Sequence, residues 1–209
     1  MEQKKKTETT KKRILNTATR LFMEKGYENT RVEDILEELG DLTKGAVYHH
    51  FKSKEDLFDA VATEMGRQNR ELLLEIKEND KLTGAEKLKE MIQASFRSQD
   101  TEQIMNMTPN LLENPKFLAA ILKGTQEIAI PQYIAPVVEA GVKDGSIKTE
   151  NPKALAELIM VLMNIWFNPL IFNHENATPL VKCQMINAIL KQYNLLLFDE
   201  DMLKGMPGL

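Results

Sequence analysis

Thr43-Lys44-Gly45-Ala46-Val47-Tyr48-His49-His50-Phe51-Lys52-Ser53-Lys54-Glu55-Asp56-Leu57 is the stretch on which the reading of this chain turns. Its first half predicts a short helix, with the Thr43 hydroxyl as cap and Ala46, Val47 and Phe51 as apolar contacts. The free side carries Lys44, Tyr48 and His49 around the small residues Gly45 and Ala46. A helix that is small and polar on its outer side can lie against the wall of a DNA major groove. Ser53, with Asp56 three residues on, predicts the cap of the next helix.

Upstream, Ile14, Ala18, Leu21 and Phe22 fall at i, i+4, i+7 and i+8, the single apolar stripe of a helix that Lys25 and Gly26 bring to a stop. Thr30-Arg31-Val32-Glu33 reads as a capping box opening a second helix, with Val32, Ile35, Leu36 and Leu39 on its buried side and Gly40 at its end. Two short helices joined by the tight connection Gly40-Asp41-Leu42 form a helix-turn-helix, in which the first braces the second.

Downstream, a long fourth helix is expected from Ser53 to near Asn79, with Leu57, Phe58, Val61, Met65, Leu72, Leu73 and Ile76 facing inward. Another runs from Gly84 to about Ser98. Pro109, Pro115, Pro131, Pro136 and Pro152 mark breaks, Pro152 standing where a first-turn proline belongs. A last helix opens at Thr178-Pro179. No alternating strand pattern occurs, so the expectation is all-α. An N-terminal domain spans residues 1–55, helix four bridges onward from 53, and a helical C-terminal domain spans 56–209.

Composition agrees with a globular protein. The 209 residues are 43% hydrophobic and 28% charged, enough apolar material to offset chain entropy. The single cysteine, Cys183, forms no internal disulfide, and cytoplasmic residence is the simplest expectation. Residues 154–172 are apolar but carry Glu157, Asn164, Asn168 and Pro169, which suits a buried or dimer helix and not a membrane span. The net charge of −4 hides a split: residues 1–54 hold 12 Lys and Arg against 9 Asp and Glu, and residues 55–209 hold 15 against 22. Such asymmetry fits a nucleic-acid-facing N-terminus, or equally a solvated mixed surface. No Gly-rich phosphate loop and no G-x-S-x-G run is present, so no catalytic residues are assigned and an enzyme is not expected. His49 and His50 point about 100° apart on a helix and make a poor chelating pair. His174 is remote in sequence. Neither a metal nor another cofactor is expected.

The run from Thr43 to Leu57, with Ile14-Leu15, Ala18, Leu21-Phe22, Gly26-Tyr27, Thr30, Val32 and Asp34-Ile35 before it, resembles the signature of the TetR (tetracycline repressor) family over about Lys11 to Val61. The resemblance implies a DNA-binding transcriptional regulator, a homodimer on a near-palindromic double-stranded operator, most often a repressor released by a small-molecule effector. It implies that Thr30 caps helix two and offers its N–H to a phosphate. Thr43, Lys44 and Tyr48 would meet backbone or base edges, Gly45 and Ala46 the groove wall, His49 the DNA face, and Lys52 and Lys54 phosphates. One feature departs from the family: its members commonly place one residue fewer between the helix-ending glycine and the capping Ser or Thr, whereas Asp41 and Leu42 both intervene here.

The resemblance assigns dimerisation and effector binding to the C-terminal domain, with Pro152–Phe172 and Thr178–Leu197 as the candidate dimer helices. Candidate pocket residues are Met91, Phe96, Met105, Met107, Phe117 and Tyr133, then Met160, Met163, Asn164, Trp166 and Phe167. Methionines suit adaptable apolar pockets, and Asn164 is the polar residue able to orient a ligand. Simple core packing accounts for each of them as well. A helical interaction module with no specific DNA target remains the alternative reading.

Overall fold

The computed structural model describes residues 2–65, 67–97, 103–104, 106–108, 111–112, 115–172 and 177–204. Among them the secondary structure is helical throughout. The chain divides into two compact units, Met1–Gln68 with Gln99–Pro109, and Asn69–Ser98 with Asn110–Leu209.

In the first unit, α1 (Glu2–Asn29) is broken at Gly26, whose φ of 76° and ψ of 165° leave the helical region. This left-handed φ is why glycine stands there. α2 (Val32–Leu39), α3 (Lys44–His50) and α4 (Lys54–Met65) follow. α1 packs on α2 and α4, and α2 on α3. Ile14, Ala18, Leu21 and Phe22 are buried, as the stripe predicts, together with Ile35, Val47, Phe51, Leu57 and Val61. Phe22, Tyr27 and Phe58 meet with ring centroids 5.3–5.8 Å apart, a geometry worth more than its buried area alone.

The single fourth helix expected to Asn79 is described as two segments, α4 and α5 (Arg67–Glu78), with residue 66 outside the described residues. Leu72, expected inward, is exposed, whereas Ile76 is buried. The second unit continues with α6 (Gly84–Arg97), α7 (Pro115–Gly124), a π-helical stretch Thr125–Ile134, α8 (Ala135–Asp144), α9 (Pro152–Val161), a π-helical turn Leu162–Trp166, α10 (Pro179–Leu190) and α11 (Glu200–Lys204).

Pro131 does not break the chain as expected. It lies inside the π-helical stretch, which joins α7 directly to α8. The widened i→i+5 turn accommodates a residue with no N–H to donate. Pro152 occupies the first turn of α9, and the Thr178 hydroxyl accepts from Val181 N–H at 3.4 Å to cap α10.

The core of this unit gathers Leu88, Met91 and Ile92 from α6, Val137 and Val138 from α8, Leu155 and Ile159 from α9, and Cys183, Ile186 and Leu190 from α10. Burial pushes the Cys183 thiol up to about 12. Lys182 is buried as well, 2% exposed, and its ammonium donates to the carbonyls of Trp166 and Phe172 at 3.0 Å each. Those two bonds offset part of a desolvation that lowers its pKa.

Asp199 ties α11 to α6. Its carboxylate accepts from Lys89 Nζ at 2.8 Å, from Gln93 Nε2 at 3.2 Å and from Met202 N–H at 2.9 Å. The Lys89 bond and then the Met202 N–H bring its pKa down to about 2 from an ordinary 3.8. A carboxyl with a depressed folded-state pKa contributes stability above its unfolded value and loses it as pH falls through the folded one. The melting-temperature gap between the wild type and Asp199→Asn is therefore expected to be constant above about pH 5 and to narrow steadily towards pH 2. A gap that did not change with pH would mean that the ionised carboxylate adds nothing.

Candidate nucleic-acid interface

The candidate interface is built on α3. Thr43 caps it, accepting from Ala46 N–H at 3.3 Å, and its backbone is extended at that point, as an N-cap requires. Val47 is 2% exposed and anchors the inner side, while Thr43, Lys44, Gly45, Tyr48 and His49 are exposed and Ala46 is half-buried. Five of the sequence-predicted residues, Lys44, Gly45, Ala46, Tyr48 and His49, thus share one short helix, with Thr43 as its cap. A Cβ built on Gly45 would meet nothing nearer than Thr43 Oγ at 3.9 Å, so the space outside it is open.

Lys52 and Lys54 flank the start of α4. Ser53 Oγ accepts from Asp56 N–H at 3.1 Å, and the Asp56 carboxylate accepts from Lys52 N–H at 2.7 Å, the local cap expected of this stretch. Lys52 is exposed. Lys54 is half-buried, with its ammonium 4.0 Å from the centroid of the Tyr27 ring, and burial lowers its pKa. The same enclosure raises the Tyr27 phenol.

Thr30 is placed differently from the expectation. It is fully buried, its hydroxyl donates to the carbonyls of Gly26 at 2.8 Å and Leu21 at 3.2 Å, and its N–H donates to Tyr27 O at 3.3 Å. Neither group is turned to a phosphate. The break at Gly26 leaves a carbonyl needing a donor, and the threonine hydroxyl supplies it. α2 is closed one residue later, by Asp34, whose carboxylate accepts from Arg31 N–H at 2.8 Å. Glu33, expected in the capping box, instead pairs with Lys44 across the turn, and that bond holds the Glu33 carboxyl below its usual range.

The longer turn has its own partner. Gly40 takes a φ of 68° at the end of α2, and Asp41 N–H donates to Leu39 O at 2.7 Å. The Asp41 carboxylate receives both arms of the Arg13 guanidinium, at 2.7 and 3.0 Å, which lowers its pKa. Arg13 is the residue of this turn that the sequence pattern did not single out, and the pairings of Glu33 and Asp41 were not foreseen either.

His49 and His50 have ring centroids 5.4 Å apart, and burial lowers the His50 pKa. Among the described residues, no group of three or more His, Cys, Asp or Glu is arranged to hold a metal ion, and no helix is long and apolar enough to cross a membrane.

Of the candidate pocket residues, Met91, Tyr133, Met160 and Phe167 are part of the second unit's core, with Met163 and Trp166 packed against it. Phe117 is buried. Phe96 is 37% exposed, and its ring lies edge-on to Phe167 at 5.0 Å. Asn164 Nδ2 donates to Thr125 Oγ at 2.8 Å, joining the two π-helical stretches. Met107 is buried but falls in the first unit, and Met105 lies outside the described residues, as does His174.

Residues 14–61 match the family described as bacterial regulatory proteins, tetR family. Along most of its length the chain is similar to the uncharacterized HTH-type transcriptional regulator YhgD of Bacillus subtilis, 28% identical over 184 residues, 88% of this chain and 93% of that one. It is also 28% identical, over 152 residues, to the HTH-type transcriptional repressor KstR2 of Rhodococcus jostii, covering 68% of this chain and 70% of that one. Among solved structures, a transcriptional regulator from Aquifex aeolicus superposes with a TM-score of 0.53 at 26% identity, over 88% of this chain and 99% of that one. The matched segment is the one whose geometry presents a braced, outward-facing second helix, and the chain is accordingly similar, closely there and more distantly along most of its length, to the TetR-family helix-turn-helix transcriptional regulators.

Proposed function

We propose that the chain is a ligand-responsive repressor that binds a near-palindromic operator as a homodimer, reading it with α3 of each copy. The observation that carries this is the sidedness of α3: Val47 is buried, and Thr43, Lys44, Tyr48 and His49 stand exposed around the open space at Gly45. Lys44, Lys52 and Lys54 neutralise phosphates and set register, while the side chains of α3 read base edges. Thr30 is left out of this interface, since its polar groups are used internally.

Apolar surface on α9 and α10 supports the dimer. Leu158, Val161, Val181 and Met185 are 37–53% exposed, and two such helices from each copy would close a four-helix interface. The effector is a small molecule taken up by the C-terminal unit. It shifts DNA affinity only by its differential affinity for the two states of the dimer.

Selection from random duplex pools at two salt concentrations tests the reading. The expected result is enrichment of a palindrome whose binding weakens with salt and falls at least about tenfold in Tyr48→Ala, the loss of a good base or phosphate contact. Weak, sequence-blind binding would refute the reading and leave a helical interaction module.

A further inference from the structure

Two arginines on α1 bracket the turn that launches α3. Arg13 and Arg20 stand seven residues apart and therefore on one side of the helix. Arg20 reaches Glu38 at 2.7 Å, just before Gly40, and Arg13 reaches Asp41 with both guanidinium arms, just after it. Between them the backbone passes through the left-handed conformation of Gly40. Two residues, Asp41 and Leu42, then separate Gly40 from the cap of α3. A connection of two residues after a positive-φ glycine has several ways to leave it, so the direction of the next helix is not determined by backbone alone. The fork on Asp41 removes that freedom, because two parallel N–H···O bonds fix orientation as well as distance.

We propose that Arg13 is a positioning residue for DNA reading: by gripping Asp41 it sets the direction in which α3 leaves the turn after α2. This rests on α3 being the reading helix. The pair joins residues 28 apart in sequence and is 45% and 61% exposed, so its contribution to folding is small, as for surface ion pairs generally. Its effect appears instead in the match between α3 and base edges, where a displacement of about 1 Å is costly. Asp41, an unfavourable neighbour for phosphate on its own, is acceptable because its charge is already neutralised.

The test compares wild type, Arg13→Gln, Asp41→Asn, the double variant, and the exchanged pair Arg13→Asp with Asp41→Arg. Affinities for the operator selected by the wild type and for a random duplex are measured across salt concentration, with thermal melting as a check on folding. The ratio of operator to random affinity is expected to fall about fivefold in each single variant, within the range of one surface ion pair. The double variant should be no worse than either single one, and the exchanged pair should recover part of the ratio. Melting temperatures should stay close to that of wild type. The opposite pattern would overturn the proposal: Asp41→Asn tightening both duplexes while Arg13→Gln lowers the salt slope by about 0.9, which would make Arg13 a phosphate ligand. An unchanged ratio in every variant would overturn it too. A wild type that selects no operator would instead remove the reading of α3 on which the proposal stands.

Discussion

Gly84→Ala is expected to destabilise the protein by about 3 kcal/mol, lowering the melting temperature by roughly 10 °C. α6 begins against α8 with backbone meeting backbone. A Cβ on Gly84 would lie 2.2 Å from Gly141 N, 2.3 Å from Gly141 Cα and 2.7 Å from Val137 O. None of these atoms belongs to a side chain that can turn aside, so the helices must part. Parting them also strains the bonds that close the start of α6, Gly84 N–H to Asp144 at 2.7 Å and Ala85 N–H to Ser146 Oγ at 3.1 Å. The helix propensity gained by alanine, at most about 1 kcal/mol, is too small to reverse the sign. Gly141→Ala provides the internal comparison. Its Cβ would meet Ile147 Cδ1 and Cγ1 at 2.5 Å and Ile147 Cβ at 3.1 Å, all side-chain atoms, of which the first two can swing aside at some rotamer cost, so its loss should be smaller. Denaturant unfolding of the two variants checks the order. Equal stability of Gly84→Ala and wild type would mean that α6 and α8 are not so closely apposed.

The features that could be read from sequence were the local ones. The stripe from Ile14 to Phe22, the stop at Gly26, the Thr43 cap and the Ser53–Asp56 cap each depend on residues within one or two helical turns, and each is where the pattern put it. The reading failed where a local motif had two solutions. Thr30 and Glu33 have the spacing of a capping box, but a hydroxyl donates as readily as it accepts. The carbonyl left by the break at Gly26 took Thr30 inward, and Asp34 closed the helix in its place. Likewise Pro131 is a reliable breaker of α-helix, yet its missing N–H is harmless in a wider turn.

What sequence could not show were partners distant along the chain. Nothing near Asp41 indicates that Arg13 will hold it, and nothing near Lys182 indicates that its ammonium will be buried on the carbonyls of Trp166 and Phe172. Both arise from how helices meet, which periodicity does not encode. The exposed side of α3 was legible for the same reason that its caps were: α3 is seven residues long and its two sides differ in character. The pocket was not, because the methionines and aromatics that would line one are the residues that also fill the second unit's core.

Gly45→Glu should abolish operator recognition, lowering affinity at least about 100-fold, while the protein becomes slightly more stable, by about 0.5–1.5 kcal/mol. The two effects separate because they act on different sides of α3. On the protein side there is room: a Cβ at Gly45 would touch only Thr43 Oγ, at an ordinary 3.9 Å. Glycine is a poor helix former, and an acidic residue in the first turn is favoured by the helix dipole, so folding gains on both counts. On the outer side the same carboxylate would stand between Lys44 and Tyr48, on the exposed surface of the helix. In a groove it would exclude close approach of the backbone and add a negative charge beside phosphates. Gly45→Ala separates bulk from charge, keeping the stability gain with a much smaller loss of affinity. Thermal melting and operator titration of the two variants give both readouts. If Gly45→Glu bound the operator as tightly as wild type, α3 would not lie in the groove, whatever its sequence resembles. If it lost binding and stability together, the space outside Gly45 would not be open. Loss of binding in a protein that melts higher than wild type is the combination that only a groove-facing glycine produces.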